Sequence, residues 1–463
     1  MTSRIHRSTG LIFATLSTLV ACSPPSPSAD VTDASADTQT VVDVVFDGAD
    51  TATDAQPGDV ADTSAPDVRD AAAEAAVDAS PDASPDASPD AGPVGCPLTR
   101  IVASTSDGTD GAFVTGTIAG VALSYLAPPA GVMVEQDHVV RRAGCRVYDL
   151  RRGFGAVANQ LVEIDPANPY TARRTLSIPS LGSGMAATNA NPYDVALVSP
   201  TKAYLVLYNA AVLWVFNPET GAMSGTINLA PFADSDGIPE AASVHVVGNR
   251  AYIALQQLNR AMGYAPPARS TVLVIDTTTD MPADLDLAMA GVQSTLSLTA
   301  GNPSASAVSA DGRYLVYAST GAFASTTDGA LDVIDTSTHR VVSSVTAAAL
   351  GSDPGSVVVL DGSPAAAWVA TRVTAGGGAV VTRVRRVALA TGAVEATPVL
   401  ERTEQLGDFT RAPSGDVWAI NTAFGTGGAV FAFQPNGMLR GSYVLPARGA
   451  APSTGTYSLA LTP

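Results

Sequence analysis

Few residues in this chain could carry out metal, redox or nucleophilic chemistry. The 463 residues include three cysteines and four histidines. Neither C-x-x-C nor H-E-x-x-H occurs, so a zinc site is unsupported, and no G-x-S-x-G motif marks a serine nucleophile. The run Gly376-Gly377-Gly378 lacks the Lys-Ser/Thr that completes a phosphate-binding loop. These motifs assign no catalytic residue.

The histidines favour structural roles. His138 directly follows Asp137 in a turn-like segment, where we expect it to be solvated. His245 lies in a predicted inner strand and is interpreted as a core residue whose hydrogen bonds are satisfied. His339 follows a strand and is expected at the surface.

The three cysteines divide into two roles. Cys22 ends the segment Leu19-Val20-Ala21-Cys22, while Cys96 and Cys145 remain as a pair. In an oxidising compartment the pair is expected to form a disulfide, with two free buried thiols as the alternative. The bridge would close a loop of about 48 residues and stabilise the fold by about 4 kcal/mol in the chain-entropy model.

Residues 1–22 read as a secretion signal. Arg4 and Arg7 form a positive start, and residues 11–20 form an apolar run too short for an ordinary transmembrane helix. Its end resembles a bacterial lipobox, which implies lipidation of Cys22 and attachment to the cell envelope. Ser23 favours the outer membrane, facing the periplasm or the cell surface. The alternative is a soluble secreted protein in which Cys22 has no role.

Residues 23–95 are predicted to be a disordered linker, because sixteen acidic residues accompany one basic residue and few apolar groups. Residues 96–463 are predicted to be the folded domain. That domain holds 22 basic and 27 acidic residues, so no basic face for nucleic acid is expected.

A repeated strand pattern organises the domain. Around Asp311-Gly312, apolar residues alternate on both sides of the turn, and residues 331–335 form a further strand. Similar units recur every 45 to 59 residues, each with room for four short strands. The pattern predicts an all-β propeller, with the Tyr and Trp residues of the second strands packed between blades.

The two ends of the domain are predicted to complete a seventh blade. Residues 457–463 copy the first strand of the unit at 193–200, whereas residues 99–116 resemble strands that lack a first strand. Pairing the C-terminal strand with the N-terminal strands closes the ring and removes exposed sheet edges.

The pattern P-x-x-V/A-V-S-x-D-G-R-x-x-Y followed by V-x-D-T-x-T resembles the YVTN family of bacterial surface and periplasmic propellers. The resemblance covers most of residues 99–463. The YVTN segment itself departs from the family pattern, appearing as Tyr204-Leu-Val-Leu and Tyr252-Ile-Ala-Leu. The resemblance implies the propeller fold, but it does not imply any particular activity.

Polar residues recur before or early in the first strands of these units and could gather at one mouth of a central channel. They are Asn191, Asp194, Asp234, Asp236, Glu240, Asn302, Asp353 and Asp408. A turn role explains each one singly. The segment Asp234-Ser-Asp236-Gly-Ile-Pro-Glu240 could also bind calcium or a polar ligand, although its spacing is too short for an EF-hand. No other cofactor is predicted.

Two classes of function follow from this sequence. The first is a membrane-anchored, non-catalytic binding module, expected as a monomer, for a protein, a glycan or a small polar ligand. The alternative is a propeller enzyme of the lactonase, lyase or quinoprotein-like type, whose site at the central channel would need convergent carboxylates, often around a metal. The fold alone cannot choose between them.

Overall fold

A computed structural model describes residues 96–106, 110–153, 159–179, 189–375, 378–423, 428–446 and 455–463. The signal segment, Cys22 and the linker at 23–95 lie outside the described residues. The strands are numbered β1 to β29 in chain order.

The first three blades are antiparallel sheets of four strands each. Blade 1 contains β1 (Arg100–Ser106), β2 (Gly111–Thr117), β3 (Ala122–Leu126) and β29 (Gly455–Thr462). Blade 2 contains β4 (His138–Ala143), β5 (Arg146–Arg151), β6 (Gln160–Asp165) and β7 (Asn168–Ser177). Blade 3 contains β8 (Pro192–Ser199), β9 (Lys202–Leu207), β10 (Val212–Phe216) and β11 (Met223–Asn228).

Blade 4 differs in that its third strand pairs with two short outer strands. It contains β12 (Ala241–Val247), β13 (Arg250–Leu255), β14 (Thr271–Asp276), β15 (Met281–Pro282) and β16 (Thr295–Ser297). Short 3-10 helices lie at Ala230–Phe232, before β12, and at Arg260–Met262, in the connection from β13 to β14.

The last three blades return to four strands. Blade 5 contains β17 (Pro303–Val308), β18 (Tyr314–Ser319), β19 (Ala330–Asp335) and β20 (Arg340–Thr346). Blade 6 follows the helix α1 (Ala347–Leu350) and contains β21 (Pro354–Leu360), β22 (Ala366–Thr374), β23 (Val380–Ala388) and β24 (Leu400–Arg402). Blade 7 contains β25 (Leu406–Arg411), β26 (Val417–Asn421), β27 (Ala429–Phe433) and β28 (Leu439–Val444).

The predicted hairpin around Asp311-Gly312 is confirmed. Ser309 and Tyr314 close it through a backbone hydrogen bond of 2.9 Å, and Gly312 adopts a φ of 69° that glycine tolerates without strain. Asp311 Oδ1 accepts the Arg313 N–H at 3.1 Å. The local sequence therefore fixes the turn from β17 to β18.

The predicted split blade is also confirmed. The C-terminal β29 pairs antiparallel with β1, from Arg100 opposite Thr462 to Ser106 opposite Gly455. The Thr99 N–H extends this ladder by donating to the Thr462 carbonyl at 2.9 Å. The last strand of the chain is thus the innermost strand of the first blade, and the ring of seven blades closes there.

Apolar side chains hold neighbouring blades together around the whole ring. Among the described residues, seven buried clusters occur, one between each pair of adjacent blades. As predicted, aromatic residues of the second strands are fully buried at these interfaces: Tyr204, Tyr252, Tyr317, Trp368 and Trp418. Because each sheet buries both faces, the core consists of seven thin layers instead of one central mass.

Cys96 and Cys145 are joined as a disulfide, with their Cα atoms 5.8 Å apart. Cys145 lies in the turn between β4 and β5 of blade 2, and Cys96 lies four residues before β1 of blade 1. The bridge therefore connects the start of the domain to an inner hairpin of the neighbouring blade. Within the described part of the chain, no helix is long and apolar enough to cross a membrane.

Candidate functional site

The central channel forms a large cavity in the ring. The innermost strand of each blade lines it, and the cavity has a volume of about 1390 Å³. Six blades place a polar side chain on its wall, and we call this set the channel belt: Arg141, Asp194, His245, Ser306, Ser356 and Asp408. Small-molecule ligands normally bind in concave sites that offer a small number of well-placed polar groups.

A bulge near the start of the innermost strand positions this belt. The register shifts between Pro192 and Asp194 in blade 3, and corresponding shifts occur at Ala241/Ser243 and Pro303/Ala305 in blades 4 and 5. An extra residue in one strand turns the following side chains away from their normal direction. Asp194, Ser243 and Ala305 therefore occupy equivalent positions after the bulge.

The eight polar residues predicted to gather at the channel mouth are here called the rim residues. Three of them lie directly before these strands. Asn191, Glu240 and Asn302 immediately precede β8, β12 and β17, and all three adopt positive φ angles. All three are buried. Their equivalent in blade 6, Asp353, accepts the Gly329 N–H at 2.6 Å, and burial raises its pKa. These four residues shape the turn into each innermost strand.

Two predicted rim residues, Asp194 and Asp408, lie inside the channel on either side of Arg141. Arg141 Nε is 3.7 Å from Asp194 Oδ1, and Arg141 Nη1 is 3.8 Å from Asp408 Oδ2. Burial raises the pKa of Asp408, and the Arg141 guanidinium opposes this effect. The channel belt thus brings one guanidinium and two carboxylates together at separations that permit ion pairing.

These carboxylates also fasten adjacent blades to each other. Asp194 Oδ2 accepts the Val244 N–H of blade 4 at 2.9 Å, and Asp408 accepts the Leu459 N–H of blade 1. Ser458 Oγ accepts the Val140 N–H of blade 2 at 2.6 Å in the same manner. A side-chain oxygen of one innermost strand therefore pairs with a backbone N–H of the next, which fixes the channel wall.

The remaining predicted rim residues, Asp234 and Asp236, lie with Glu240 close to Arg260. The Arg260 backbone N–H donates to Asp236 Oδ2 at 2.9 Å, and Arg260 Nε donates to Glu240 Oε1 at 2.9 Å. Glu240 Oε2 accepts the Leu258 N–H at 2.9 Å. Burial raises the pKa of Glu240 to about 7, against the opposing effect of Arg260. An arginine therefore occupies the centre of the candidate calcium segment.

No group of three His, Cys, Asp or Glu side chains among the described residues is arranged to hold a metal ion. The carboxylates at Asp234, Asp236 and Glu240 accept hydrogen bonds from N–H groups, which satisfies the oxygens that a calcium ion would need. The channel belt offers a ligand guanidinium, imidazole, carboxylate and hydroxyl groups.

Two histidines are more buried than predicted. His138 is the first residue of β4 and fully buried, so the prediction of a solvated turn is wrong. Its Nδ1 lies 2.7 Å from Asp149 Oδ1, across the hairpin to β5. His339 is half-buried, and its Nδ1 lies 2.7 Å from the Tyr252 hydroxyl.

His245 is hydrogen-bonded as predicted, but it faces the channel. Its Nε2 lies 2.8 Å from Ser306 Oγ, which belongs to the innermost strand of the next blade. Both residues are half-buried and line the cavity. Burial lowers the pKa of His245, and the nearby Asp194 carboxylate acts in the opposite direction. The lowered pKa favours the neutral form of the imidazole.

The sequence did not identify Arg141, His245 and Ser306 as members of one site. They lie on three different strands and at different offsets from the recurring turns. The sequence feature that could have identified them is that each lies in the first strand of a repeat unit, the strand that lines the channel.

No protein-family model matches the chain, and no curated protein sequence matches it. Among solved structures, a proposed 6-phosphogluconolactonase of Bacteroides fragilis aligns with a TM-score of 0.51 and 11% identity. The alignment covers 78% of this chain and 97% of that one. This similarity supports the propeller fold and carries no chemistry, because the identity is so low.

Two further solved structures are similar over comparable lengths. A functionally unknown protein of Desulfotomaculum acetoxidans aligns with a TM-score of 0.49 and 12% identity, covering 79% of this chain and 98% of that one. A protein of Lactobacillus plantarum aligns with a TM-score of 0.45 and 15% identity, covering 78% and 99%.

Proposed function

We propose that this chain is a lipid-anchored protein of the bacterial cell envelope whose propeller binds a small, hydroxyl-rich ligand in the central channel. The observation that supports this proposal most directly is the channel belt within a cavity of about 1390 Å³. That volume exceeds what a single sugar or comparable polar molecule needs.

The chemistry of the belt matches hydroxyl groups. Arg141 supplies N–H donors, Asp194 and Asp408 supply acceptors, and Ser306 can do both. A hydroxyl group donates and accepts hydrogen bonds at once, so a ligand carrying several of them can satisfy such a mixed wall. The interblade hydrogen bonds of Asp194 and Asp408 hold the two carboxylates in place before the ligand arrives.

Blocking the channel tests this proposal. Gly355 lies on β21 and lines the cavity, and no atom lies within 4 Å of the position that a Cβ would occupy there. Gly355→Trp should therefore place a large side chain in the channel with no clash at its Cβ. Gly225 on the outermost strand β11 has equally open surroundings and provides the control Gly225→Trp. A panel of mono- and disaccharides would be screened by thermal unfolding of the full-length chain.

We expect at least one sugar to raise the melting temperature of the wild type and of Gly225→Trp by a few degrees, but not that of Gly355→Trp. A ligand at a hundred times its Kd stabilises the folded state by about 2.7 kcal/mol. If every sugar that stabilises the wild type stabilises Gly355→Trp equally, binding occurs elsewhere and the channel proposal is wrong.

Attachment to the membrane is tested separately through Cys22. We expect Cys22→Ser to move the protein from the membrane fraction to the soluble fraction and to abolish incorporation of labelled fatty acid, because two or more acyl chains are needed for stable anchoring. Ser23→Ala retains the acylated cysteine and should remain in the membrane fraction. Membrane retention of Cys22→Ser, with no label in the wild type, would refute the anchor.

A further inference from the structure

His245 and Ser306 have the geometry of a base and a nucleophile. Their side chains meet at 2.8 Å across the junction between blades 4 and 5. A neutral imidazole whose Nε2 accepts the Ser306 hydroxyl hydrogen carries its own proton on Nδ1, as a general base toward serine must. Because both residues line the cavity, a molecule in the channel can reach the Ser306 oxygen.

Two neighbours support the imidazole in this role. The Tyr317 ring packs edge-on against His245, with centroids 6.4 Å apart and an interplanar angle of 67°, which restricts rotation of the imidazole. The Asp194 carboxylate acts on His245 electrostatically and favours its protonated form. It would therefore stabilise the imidazolium that forms when His245 takes a proton.

The strand register also places a backbone donor beside Ser306. Ser306 in β17 is equivalent to Val244 in β12, because each is the second residue after the bulge. The Val244 N–H points to the preceding blade and donates to Asp194 at 2.9 Å. The residue equivalent to Asp194 is Ser243, whose Oγ has no hydrogen-bond partner among the described residues. By this equivalence the Ser306 N–H is directed toward blade 4. In that direction it can donate to an oxyanion.

We propose that His245 and Ser306 form a nucleophile–base pair that hydrolyses a small carboxylic ester entering the channel. This activity goes beyond ligand binding and requires nothing but water as a second reactant.

The reaction proceeds in two steps. Ser306 Oγ attacks the ester carbonyl carbon while its proton moves to His245 Nε2, and the C–O bond to the alcohol then breaks as that alcohol takes the proton from Nε2. Water attacks the resulting acyl-serine, giving a proton to Nε2, and the acid leaves as Ser306 Oγ recovers that proton. Each step returns His245 to its neutral form.

A fluorophosphonate probe, which modifies activated serines, tests the pair in the full-length protein. We expect one label per chain, mapped by peptide mass spectrometry to Ser306 in β17. Ser306→Ala should remove the label, and His245→Gln should slow labelling by about 100-fold or more. Ser304→Ala, on the same strand and also lining the cavity, is the control and should be labelled like the wild type.

The pH dependence separates a catalytic base from a structural hydrogen bond. Because burial lowers the pKa of His245, the labelling rate should rise with pH and reach half its maximum below about pH 6.5, the ordinary value for histidine. Folded wild-type protein that takes up no label, or equal labelling of Ser306→Ala, would overturn the proposal. Sugar-dependent stabilisation would survive either result, so failure here is distinguishable from failure of channel binding.

Discussion

Deletion of residues 455–463 should abolish the single cooperative unfolding transition of the propeller. The deletion removes all of β29 and with it the ladder to β1. Leu459 and Leu461 also leave the buried cluster that joins blade 7 to blade 1. Each fully buried leucine contributes about 1.5–3 kcal/mol, which is large beside the ~5–15 kcal/mol that stabilise a typical domain.

The same deletion breaks two interblade hydrogen bonds in the channel wall. Asp408 loses the Leu459 N–H, and Val140 loses the Ser458 hydroxyl. Calorimetry should then show a broad transition at lower temperature, and limited proteolysis should cleave near β1, whose edge is left unpaired. Removing Pro463 alone, which lies beyond β29, is the control and should leave the melting curve unchanged.

A peptide with the sequence of residues 455–463 provides a further test in trans. Because β29 binds through a strand ladder, the added peptide should restore the sharp transition of the deleted protein in a concentration-dependent way. A deletion variant that melts like the full chain would mean that β29 does not close the ring.

Asp149→Asn is expected to destabilise the fold by about 3–5 kcal/mol, the usual cost of removing one partner from a buried ion pair. Asp149 is fully buried between His138 and Arg151, with Arg151 Nε at 2.8 Å from Oδ2. His138 Nε2 lies 3.2 Å from the Thr105 carbonyl of blade 1. The substitution therefore weakens blade 2 internally and its contact with the split blade.

Urea denaturation at several pH values would measure this effect. Although burial acts to raise the pKa of Asp149, His138 and Arg151 hold it below its ordinary value. A lowered pKa of an acid contributes stability that is present above the unfolded value of about 3.9 and is lost as the pH falls through the folded value. The difference between wild type and Asp149→Asn should therefore shrink as the pH falls below about 4.

Glu395→Gln is the matched control, because it removes a carboxylate from an exposed pair with Arg386 at 3.7 Å. Surface pairs of this kind contribute about 0–1 kcal/mol. Equal losses for Asp149→Asn and Glu395→Gln would contradict a stabilising role for the buried network.

The seven-bladed fold was predictable because its signals are local and repeated. The Asp311-Gly312 turn, the alternation around it and the similarity of residues 457–463 to the start of β8 each lie within a short segment. Ring closure then followed from matching one incomplete unit at each end of the domain. Burial of Trp368 and Trp418 followed from their recurrence on second strands.

The channel chemistry was not predictable to the same degree, because it depends on contacts between blades. His138 follows a turn-like segment in sequence, but Asp149 across the hairpin and Phe113 of blade 1 enclose it, the latter with ring centroids 5.1 Å apart. His245 meets Ser306 only because two bulges set the register of adjacent blades. The carboxylates near Asp236 resemble an ion site in sequence, but Arg260, from the connection between β13 and β14, lies among them.

The position of the disulfide determines how the propeller responds to mechanical tension. A pull on the chain N-terminal to Cys96 divides at that residue between the backbone that leads to β1 and the sulfur atoms that lead to Cys145, in the hairpin of β4 and β5. That hairpin would be loaded within a blade whose strands are consecutive in sequence. The β1–β29 seam, where the first and last strands of the propeller meet through hydrogen bonds, therefore carries only part of that load.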